Sequence, residues 1–512
     1  MNKKCLMGVD VGTSETKGVL VDLSGAVIAS ASHPHELIIP RQGWAEHDPE
    51  VAWWGGLKSV IKDLLDGSGV SSDEIASFGC STIAPCMVPM DEKGVALRNA
   101  VLYGIDTRAT EEISELNSAI GEDEIFSRCG NSLSSQAVGP KILWLRKNEP
   151  QIYDKAHKIG TGSTYLVARL TGEWWIDHYT ACNYVPCYDV ASQGWAEDLC
   201  SSIVDIDKLP AIGWTSQIAG YVTEEAALET GLAVGTPVIV GATDAASEAV
   251  SVGVVEPGQM MLMYGSTLFM VQVTDSPVTD TRLWSAPFLF PGTYSLMAGM
   301  ATTGVLTKWF RDNCALDLVD QESRDGVSAF SRLAEMASNV SPGAEGLIVL
   351  PYFSGERTPI NDPGARGTVF GLTLSHGREH IYRAILEGVG HGVRHHVDLL
   401  EAIGAAPEEF RAVGGGTKNL PWLQMVSDIC GIEQLVPPVT FGASYGDAFL
   451  AGLGIGLFAD HGDIKSWIGD PLKIGNDLDL KPLYDLYHKV YLDLYRSTAS
   501  LMHDLGVLSR KS

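Results

Sequence analysis

The sequence predicts an α/β protein built from two similar lobes. A strand, a turn of glycine and hydroxyl residues and a second strand occur near the N-terminus, in LMGVDVGTSETKGVLVDL, and again in MMLMYGSTLFMVQV at residues 260–273. Each copy is followed by alternating strand-like and helix-like segments, which is the pattern of a layered α/β architecture. Because the pattern starts twice, we expect two related lobes, in residues 1–245 and 246–512.

Composition narrows the class of protein. The 512 residues are 45% hydrophobic and 19% charged, which is typical of a globular chain with a large core. The net charge of −27 disfavours nucleic acid and anionic membranes as partners. Nine cysteines without Cys-x-x-Cys spacing indicate reduced thiols, and neither a secretory signal nor a membrane-spanning run is evident. These features predict a cytoplasmic protein.

The first lobe opens with three short strands, LMGVDVG, TKGVLVDL and VIASAS, that form a meander. Asp48-Pro49 then opens a helix. Its apolar residues recur at helical spacing and are expected on one face: Val51, Trp54, Leu57, Ile61, Leu64 and Leu65. Two short strands are predicted in residues 75–90, followed by helices at 111–120, 141–145 and 165–170.

A strand-to-helix junction lies near the middle of the chain. Residues 237–248, PVIVGATDAASE, predict a short apolar strand, a small-residue turn and a helix that opens on Asp244. Asp244 suits the helix N-cap, where its oxygen would accept a backbone N–H. The alternative is a functional carboxylate, held in place by rigid elements on both sides.

The second lobe repeats the order of the first. After the hairpin at 260–273 we predict a strand at 294–298, a helix at 304–312 and a strand at 347–352. A long helix at 378–403, a strand at 410–413 and a helix at 422–430 follow. The segment from Leu483 onward predicts a closing helix whose apolar stripe packs on the core.

The turns of the two hairpins have the chemistry of a phosphate site. In the first, Gly12 permits close backbone approach, Thr13 and Ser14 offer hydroxyl and N–H donors, and Lys17 offers a charge. Asp10 could hold Mg²⁺ through water. Ser266 and Thr267 occupy the second turn. Two such hairpins predict a polyphosphate clamped from both sides.

A third glycine-rich segment, residues 413–419 (VGGGTKN), joins a strand to a helix, where flat backbone suits a planar or phosphorylated ligand. It lacks the spacing of a dinucleotide-binding fingerprint and of a P-loop, so a Rossmann dehydrogenase and a P-loop kinase are both poorly supported.

Two longer motifs give a family resemblance. Glycines and apolar residues, a seven-residue spacer and an Ala-apolar-apolar-acid ending occur at Gly367, Val369, Gly371, Leu372, His380, Ile381, Ala384, Ile385, Leu386 and Glu387. A second motif comprises Lys141, Ile142, Trp144, Leu145, Lys147 and Asn148, with Val138 where Ser, Thr or Pro is usual. With these motifs the chain resembles the FGGY carbohydrate kinase family, in particular its xylulokinase-like branch.

The resemblance implies an actin-like (ribonuclease H-like) fold of two lobes with a central ATP and sugar cleft. It implies that Asp244 is the general base for the sugar hydroxyl and that Asp10 and Asp244 hold Mg²⁺. The positions implied to contact ATP are Thr13, Ser14, Lys17, Ser266, Thr267, Gly304, Gly415, Gly416 and Asn419.

The sugar side departs from the resemblance. Ala84 and Pro85 stand where xylulokinases carry Met-His, and Ala245 follows the base where they carry Asn. Asp106 and Arg108 of the expected Trp-Asn-Asp-x-Arg segment are kept. Sites built on hydrogen bonds discriminate strongly, so their loss should change the substrate. With Ala84, Pro85, Asp106, Asp244 and Ala245 on the sugar side, we predict an ATP-dependent kinase of a ketopentose or related polyol that is not a standard xylulokinase.

Two other functions are compatible with an actin-like fold. One is an ATPase whose turnover drives conformational change, but the matched kinase motifs disfavour it. The other is a sensor that binds sugar and ATP without catalysis, which the intact Asp244 disfavours. The resemblance also implies a homodimer, although no segment of the sequence locates an interface.

Overall fold

A computed structural model describes residues 4–438 and 441–509 and divides them into two compact units. Unit 1 contains the described residues up to Pro257, Val273–Ser295, and those from Phe441 to Gly469. Unit 2 contains Gly258–Gln272, Leu296–Pro438 and the described residues from Asp470 onward. The outer ends of the two predicted lobes lie outside the described residues, and the boundary between residues 245 and 246 stays a prediction.

The strands, in chain order, are β1 Cys5–Val11, β2 Glu15–Asp22, β3 Val27–Pro34, β4 Glu46–His47, β5 Ile75–Thr82, β6 Val88–Met90, β7 Ala100–Val101, β8 Lys158–Gly160, β9 Trp175–Asp177, β10 Tyr188–Asp189, β11 Gly194–Trp195, β12 Ala211–Gly213, β13 Ile218–Tyr221, β14 Pro237–Ile239, β15 Ala242–Thr243, β16 Gln259–Tyr264, β17 Leu268–Thr274, β18 Trp284–Pro287, β19 Tyr294–Met300, β20 Ile348–Leu350, β21 Thr368–Phe370, β22 Glu409–Val413, β23 Gln434–Val436 and β24 Leu472–Ile474.

The α-helices are α1 Gly56–Ser68, α2 Thr110–Ile120, α3 Glu122–Cys129, α4 Val138–Asn148, α5 Pro150–Lys155, α6 Gly162–Thr171, α7 His178–Ala181, α8 Glu197–Cys200, α9 Glu224–Thr230, α10 Asp244–Ser251, α11 Gly304–Cys314, α12 Leu316–Asp325, α13 Ala329–Ser338, α14 Arg378–Ala402, α15 Leu420–Cys430, α16 Ala443–Gly454, α17 Lys465–Ile468 and α18 Lys481–Ser509. No helix among the described residues is long and apolar enough to cross a membrane.

The sheet of unit 1 has the strand order β13-β14-β5-β1-β2-β3, and β15 also pairs with β5. The predicted meander is confirmed, because β1 pairs antiparallel with β2, and β2 with β3. Strand β5 lies parallel to β1, and β14 parallel to β5. Every residue of β1 and of β5 is buried, as expected for central strands covered on both faces.

Part of a second, seven-stranded sheet repeats this arrangement, with the strand order β19-β17-β16-β22-β23-β24. Strands β16 and β17 form the predicted second hairpin, and β22 lies parallel to β16 as β5 lies parallel to β1. The recurrence read from the sequence is therefore confirmed as two sheets that share a hairpin and a parallel neighbour.

The predicted helix after Asp48-Pro49 is wrong in its first turns. Residues Pro49–Gly55 form a π-helix, and only then does α1 begin. A π-helix takes one more residue per hydrogen-bonded turn than an α-helix, so the apolar face shifts. Val51, expected in the core, is 68% exposed, whereas Trp54 and Leu57 are buried as predicted.

The other predicted helices and strands occur with ends displaced by a few residues. The helix expected at 141–145 runs over the longer α4, and the closing helix begins at Lys481. The glycine-rich segment at 413–419 contains a 3-10 turn, Gly415–Lys418, before α15. The cysteines were predicted to be reduced thiols of the core. All nine are free thiols and seven are buried, but Cys430 is half-buried and Cys314 is exposed.

Candidate functional site

The turn between β1 and β2 carries the first set of predicted phosphate ligands. Thr13 is half-buried, whereas Ser14 and Lys17 are exposed. The Gly12 N–H donates to Glu15 O at 2.9 Å, which closes the turn. Two histidines hold the turn from outside, since the Nε2 atoms of His35 and His47 lie 3.0 Å and 3.1 Å from the carbonyl oxygens of Gly12 and Thr13. The turn is thus fixed by side chains that sequence reasoning missed.

Asp10 lies on β1, one residue before the end of the strand, and is 8% exposed. The parallel register of β1 and β5 places Asp10 beside Ser81, whose hydroxyl lies 3.1 Å from Asp10 Oδ1. Burial raises the pKa of Asp10 to about 6, although the Ser81 hydrogen bond and the charge of Lys17 lower it. Asp10 is therefore an anion that gains from a nearby cation.

Asp244 is not the helix N-cap, which corrects the structural alternative considered for it. Thr243 takes that position in extended conformation, and its Oγ1 accepts from Ala246 N at 3.3 Å. Asp244 is the first residue of α10, and its Oδ1 accepts from Ala245 N at 2.8 Å. Because β15 ends in a residue that caps the helix itself, the half-buried Asp244 carboxylate is not used to cap it.

Asp10, Asp244 and Glu248 influence one another's ionisation through their charges. Burial and then the charge of Asp10 raise the pKa of Asp244 well above its usual value. The same two causes raise the pKa of Glu248, one helical turn later on α10, to about 7, against a lowering effect of Lys17. Lys17 pairs with Glu15 at 2.8 Å. Ionisation of Asp10 thus disfavours ionisation of Asp244 and Glu248, and a bound cation would relieve this repulsion.

The Asp10 and Asp244 carboxylates suit Mg²⁺ that is bound together with waters and substrate, rather than a metal ion coordinated only by protein side chains. Within the described residues, no group of three or more His, Cys, Asp or Glu side chains could hold a metal ion. Mg²⁺ prefers oxygen ligands and usually takes one or two carboxylates, with waters and substrate phosphates completing its coordination. Asp10 and Asp244 match that requirement.

The predicted sugar-side residues Ala84 and Ala245 are both half-buried, and Pro85 is buried. Neither alanine offers a side-chain hydrogen bond, as the sequence implies. A contact joins the segment before Asp106 to the first hairpin, because Tyr103 OH lies 3.3 Å from Thr13 Oγ1.

Asp106 is fully buried. Its Oδ2 accepts from Ala45 N and from Arg108 Nη2, each at 2.7 Å, and its Oδ1 accepts from Arg108 Nε at 2.9 Å. Both oxygens thus already have partners within the chain, which favours a role in positioning the segment over direct contact with sugar. Buried Lys141 anchors the same segment, because its Nζ donates to the carbonyls of Leu102 and Tyr103 at 2.7 Å and 3.1 Å. Burial lowers the Lys141 pKa to about 8.

The turn between β16 and β17 carries the second hairpin motif. Ser266 is exposed and Thr267 half-buried. Helix α11 begins directly against this turn, since Gly304 N donates to Gly265 O and Val305 N to Ser266 O, each at 3.1 Å. A Cβ on Gly304 would lie 2.4 Å from Gly265 O, so only glycine allows this approach.

A cavity of about 1070 Å³ lies in unit 2 and is of the size that holds small-molecule cofactors. Its lining includes five predicted ATP-contacting residues, Ser266, Gly304, Gly415, Gly416 and Asn419. Thr267 is outside the lining. Asn419 also caps α15, where its Oδ1 accepts from Trp422 N at 3.2 Å. Phe330, Tyr382 and Trp422 supply apolar surface to the same cavity.

The structure therefore brings five predicted residues together in the unit 2 cavity, and in unit 1 it places Asp10 close enough to Asp244 for its charge to raise the Asp244 pKa. Sequence reasoning missed several polar residues of the first group, among them Ser81, Glu248 and Asp447. Asp447 had a readable signal, because it is a single carboxylate in the otherwise apolar or small-residue helix α16. Ser81 had none, since nothing in a buried strand distinguishes it.

Two domains of one known protein family match most of the chain. Residues 5–251 match the FGGY family of carbohydrate kinases, N-terminal domain, and residues 260–455 match the C-terminal domain of that family.

Individual relatives cover most of the chain. The chain is 31% identical to the xylulose kinase of Escherichia coli (strain K12) over 432 residues, which is 84% of this chain and 85% of that protein. It is 27% identical to the gluconokinase of Bacillus subtilis (strain 168) over 484 residues, which is 94% of this chain and 92% of that protein. The solved xylulose kinase from Rhodospirillum rubrum has 31% identity and a TM-score of 0.88, covering 98% of this chain and 100% of that chain. These similarities confirm the actin-like (ribonuclease H-like) two-domain fold.

Proposed function

Because the chain belongs to the FGGY family of carbohydrate kinases, we propose that it phosphorylates a hydroxyl of a ketopentose or related polyol with ATP, and that Asp244 is the general base. Family membership makes the chain a sugar kinase, and ATP-dependent phosphorylation of a sugar is the activity of that class. The sugar's identity and the roles of individual residues are the proposal.

The hydrogen bonding, exposure and pKa of the Asp244 carboxylate support its assignment as the general base. Its hydrogen bond comes from its own helical turn, at Ala245 N, whereas Asp10 is bonded to Ser81 of another strand. It keeps some exposure and has a raised pKa caused by burial and by Asp10. A carboxylate with a raised pKa is a stronger base, so it can take the hydroxyl proton as the new O–P bond forms.

We propose that Asp10 and Asp244 hold Mg²⁺, which when bound would neutralise charge on the phosphate oxygens. Phosphoryl transfer depends mainly on positioning and charge stabilisation. Thr13, Ser14 and Lys17 of the first hairpin, with Ser266 and Thr267 of the second, would position the phosphates through hydroxyls, turn N–H groups and one ammonium. Gly304, Gly415, Gly416 and Asn419 would contact the remainder of the nucleotide in the unit 2 cavity.

The sugar class follows from the loss of polar side chains. With Ala84, Pro85 and Ala245 in place of hydrogen-bonding residues, the pocket should reject substrates that depend on those contacts. The relatives named above include enzymes called xylulose kinase and gluconokinase, so both ketoses and aldonates belong in the test. We expect D-xylulose not to be the best substrate.

The base assignment is tested with Asp244→Asn. We expect sugar-dependent ADP release to fall by about 10²- to 10⁴-fold, the usual contribution of a general base. ATP affinity, measured by titration calorimetry without added Mg²⁺, should change little, because the variant then affects only the proton transfer. Asp66→Asn, an exposed position on α1, is the matched control and should behave as wild type. Retention of most of the activity by the Asp244 variant would remove Asp244 from the role.

The substrate class is tested by a coupled ADP-release assay over pentuloses, hexuloses, aldonates and tetritols. One of them should raise ADP release well above the rate with ATP alone. D-xylulose as the clear best substrate would contradict the predicted change in specificity. ADP release that no sugar stimulates would favour the ATPase, and ATP binding without turnover would favour the sensor.

A further inference from the structure

Asp447 is a fully buried carboxyl group that the proposed reaction does not use. It lies on α16, which packs directly against the central strands of the unit 1 sheet. Glycines make this approach possible: a Cβ on Gly8 of β1 would lie 1.9 Å from Ser444 O, and one on Gly79 of β5 would lie 2.3 Å from Asp447 O. The Asp447 side chain is therefore held rigidly against the two strands that carry Asp10 and Ser81.

Two serine hydroxyls contact the Asp447 carboxyl. Ser81 Oγ lies 2.7 Å from Asp447 Oδ2 and also 3.1 Å from Asp10 Oδ1. Ser247 Oγ, on α10, lies 2.6 Å from Asp447 Oδ1. Ser81 thus bridges the buried carboxyl group of Asp447 and the carboxyl group of Asp10, the proposed Mg²⁺ ligand.

Counting hydrogen atoms constrains the charge of this group. A serine hydroxyl carries a single hydrogen, and an ionised carboxylate can only accept. If Asp10 and Asp447 were both ionised, Ser81 could donate to one of them and would present lone pairs to the other. One of the two acids must therefore carry a proton and donate it to Ser81.

The surroundings decide which acid keeps the proton. Asp447 is 0% exposed and its oxygens are bonded to hydroxyls rather than to a cation, so ionisation there is costly. Asp10 is 8% exposed, near the end of β1, so its charge is less fully removed from water. Burial and the charge of Asp10 raise the pKa of Asp447 well above its usual value, in agreement with the geometry.

We propose that Asp447 is a positioning residue that stays a neutral acid, donates to Ser81 and thereby makes Ser81 donate to Asp10. The hydrogen bonds then run in one direction, from Ser247 to Asp447, from Asp447 to Ser81, and from Ser81 to Asp10, with every hydrogen used once. Asp10 is held in one orientation as the anion that meets Mg²⁺. This inference rests on the proposed function, because it concerns the metal that accompanies ATP.

The test uses variants that separate hydrogen bonding from charge. In Asp447→Asn the amide N–H₂ can donate to Ser81 and the amide oxygen can accept from Ser247, as the neutral acid does. Asp447→Ala removes both bonds, and Ser81→Ala removes the bridge. Loss of such outer partners typically weakens metal binding by about 10- to 100-fold.

We expect Asp447→Ala and Ser81→Ala each to raise the Mg²⁺ concentration for half-maximal ADP release by about tenfold or more. At saturating Mg²⁺, kcat should stay within about threefold, because neither residue touches the substrate. Asp447→Asn should restore the Mg²⁺ requirement to within about threefold of wild type. The double Ala variant should be no worse than either single one, since both act through the same bond to Asp10.

Asp428→Asn is the matched control, because Asp428 is also a buried aspartate but lies on α15 in unit 2, and its Mg²⁺ requirement should equal that of wild type. An Asn variant as impaired as the Ala variant would overturn the inference, because it would mean that Asp447 acts as an anion. Additive effects in the double variant would also overturn it. Thermal unfolding of each variant identifies any that fail to fold, and Asp447→Ser then replaces Asp447→Ala.

A second readout needs neither sugar nor nucleotide. The infrared difference spectrum of wild type minus Asp447→Asn, recorded at neutral pH, should contain the C=O stretching band of a protonated carboxyl group, and the Asp428→Asn difference should lack it. Absence of the band would overturn the inference whatever the activity. If the band is present but no sugar is phosphorylated, the proposed function fails and the protonation of Asp447 stands.

Discussion

The His47 side chain holds the turn of the first hairpin by a hydrogen bond to the Thr13 carbonyl, and only one tautomer of the neutral ring can make that bond. Trp53 Nε1 donates to His47 Nδ1 at 3.0 Å, so the imidazole proton must be on Nε2, which donates to the Thr13 carbonyl. Burial, with the nearby His35, lowers the His47 pKa to about 4. A proton added to Nδ1 would break the bond from Trp53, so the neutral form is required.

Replacing His47 should change how stability depends on pH. The unfolded chain takes up the proton near pH 6.5, but the folded chain resists it down to about pH 4, so stability falls as pH falls through that window. Each pKa unit corresponds to about 1.4 kcal/mol, so the loss reaches about 3 kcal/mol in wild type.

In His47→Gln the amide N–H₂ can still donate to Thr13 O, but the group does not titrate. Urea unfolding at several pH values should therefore show a flatter dependence for this variant. His33→Gln, at an exposed position of β3, serves as the control. Equal slopes in wild type and His47→Gln would mean that His47 is not the titrating group.

Single residues differed in how far the sequence revealed them. Asp244 was identifiable because it follows a short apolar strand and small-residue turn that are contiguous with it. Ser81 was not, because its position beside Asp10 is set by the pairing of β1 with a strand about seventy residues later. Local patterns contain no information about which buried strand will be the neighbour.

At the scale of elements, the contact between the second hairpin and α11 forms one wall of the unit 2 cavity, where Gly265, Ser266 and Gly304 line it. Three consecutive N–H groups at the start of α11 donate to carbonyls of the hairpin turn, at Gly265 and Ser266. Strand and helix are therefore coupled through backbone, and a change in one moves the other.

Gly304→Ala should disturb this contact. The new Cβ would lie 2.4 Å from Gly265 O, and that oxygen is backbone, so the turn must shift. Overpacking of this kind costs about 1–3 kcal/mol, which corresponds to roughly a five- to hundredfold rise in the KM for ATP if the shift falls on the bound state. The sugar KM should change less.

The control is Gly475→Ala in the same unit, where a Cβ meets nothing within 4 Å. Steady-state kinetics with each substrate varied in turn, together with thermal unfolding, would separate a binding effect from a folding defect. An unchanged KM for ATP in the Gly304 variant would show that the turn does not contact the nucleotide.

The π-helix at Pro49–Gly55 could not be predicted from the spacing of apolar residues. Asp48 caps its start by accepting from Glu50 N at 2.9 Å and Val51 N at 3.2 Å, which the Asp-Pro signal predicted. The extra residue of the π turn was not predictable, because an α-helical period fits most of the same apolar positions. The neighbouring residues Asp48 and Pro49 thus predicted where the helix begins, but its π-helical pitch depended on packing.

The whole molecule carries a net charge of −27 and yet is proposed to bind a polyanion. Two lysines offset this charge locally, because Lys308 and Lys418 line the unit 2 cavity. At long range the nucleotide still approaches a negative protein, so association should be slowed at low ionic strength.

We expect the association rate constant of ATP to rise with salt. Between about 0.01 M and 0.15 M the Debye length shortens from about 30 Å to about 8 Å, which screens the net charge. The rate constant should rise by at least about threefold. Stopped-flow tryptophan fluorescence would measure it, because Trp422 lines the cavity.

Adenosine, which is uncharged, should show no comparable rise and provides the control. A rate constant for ATP that falls with salt would mean that the local positive potential outweighs the net charge. The sign of the salt dependence therefore decides between local and global electrostatics.

The sequence by itself determined the repeated α/β pattern, the two opening hairpins with their glycine and hydroxyl turns, and the family. All of these rest on contiguous signals: alternation of apolar residues, turn chemistry and motif spacing. Only the tertiary structure decided how α16 packs, about two hundred residues beyond Asp244, against β1 and β5 of unit 1. The proposed role of Asp447 depends on its burial and on its link to Asp10 through Ser81. Such contacts come from long-range packing, which the local spacing of residues does not predict.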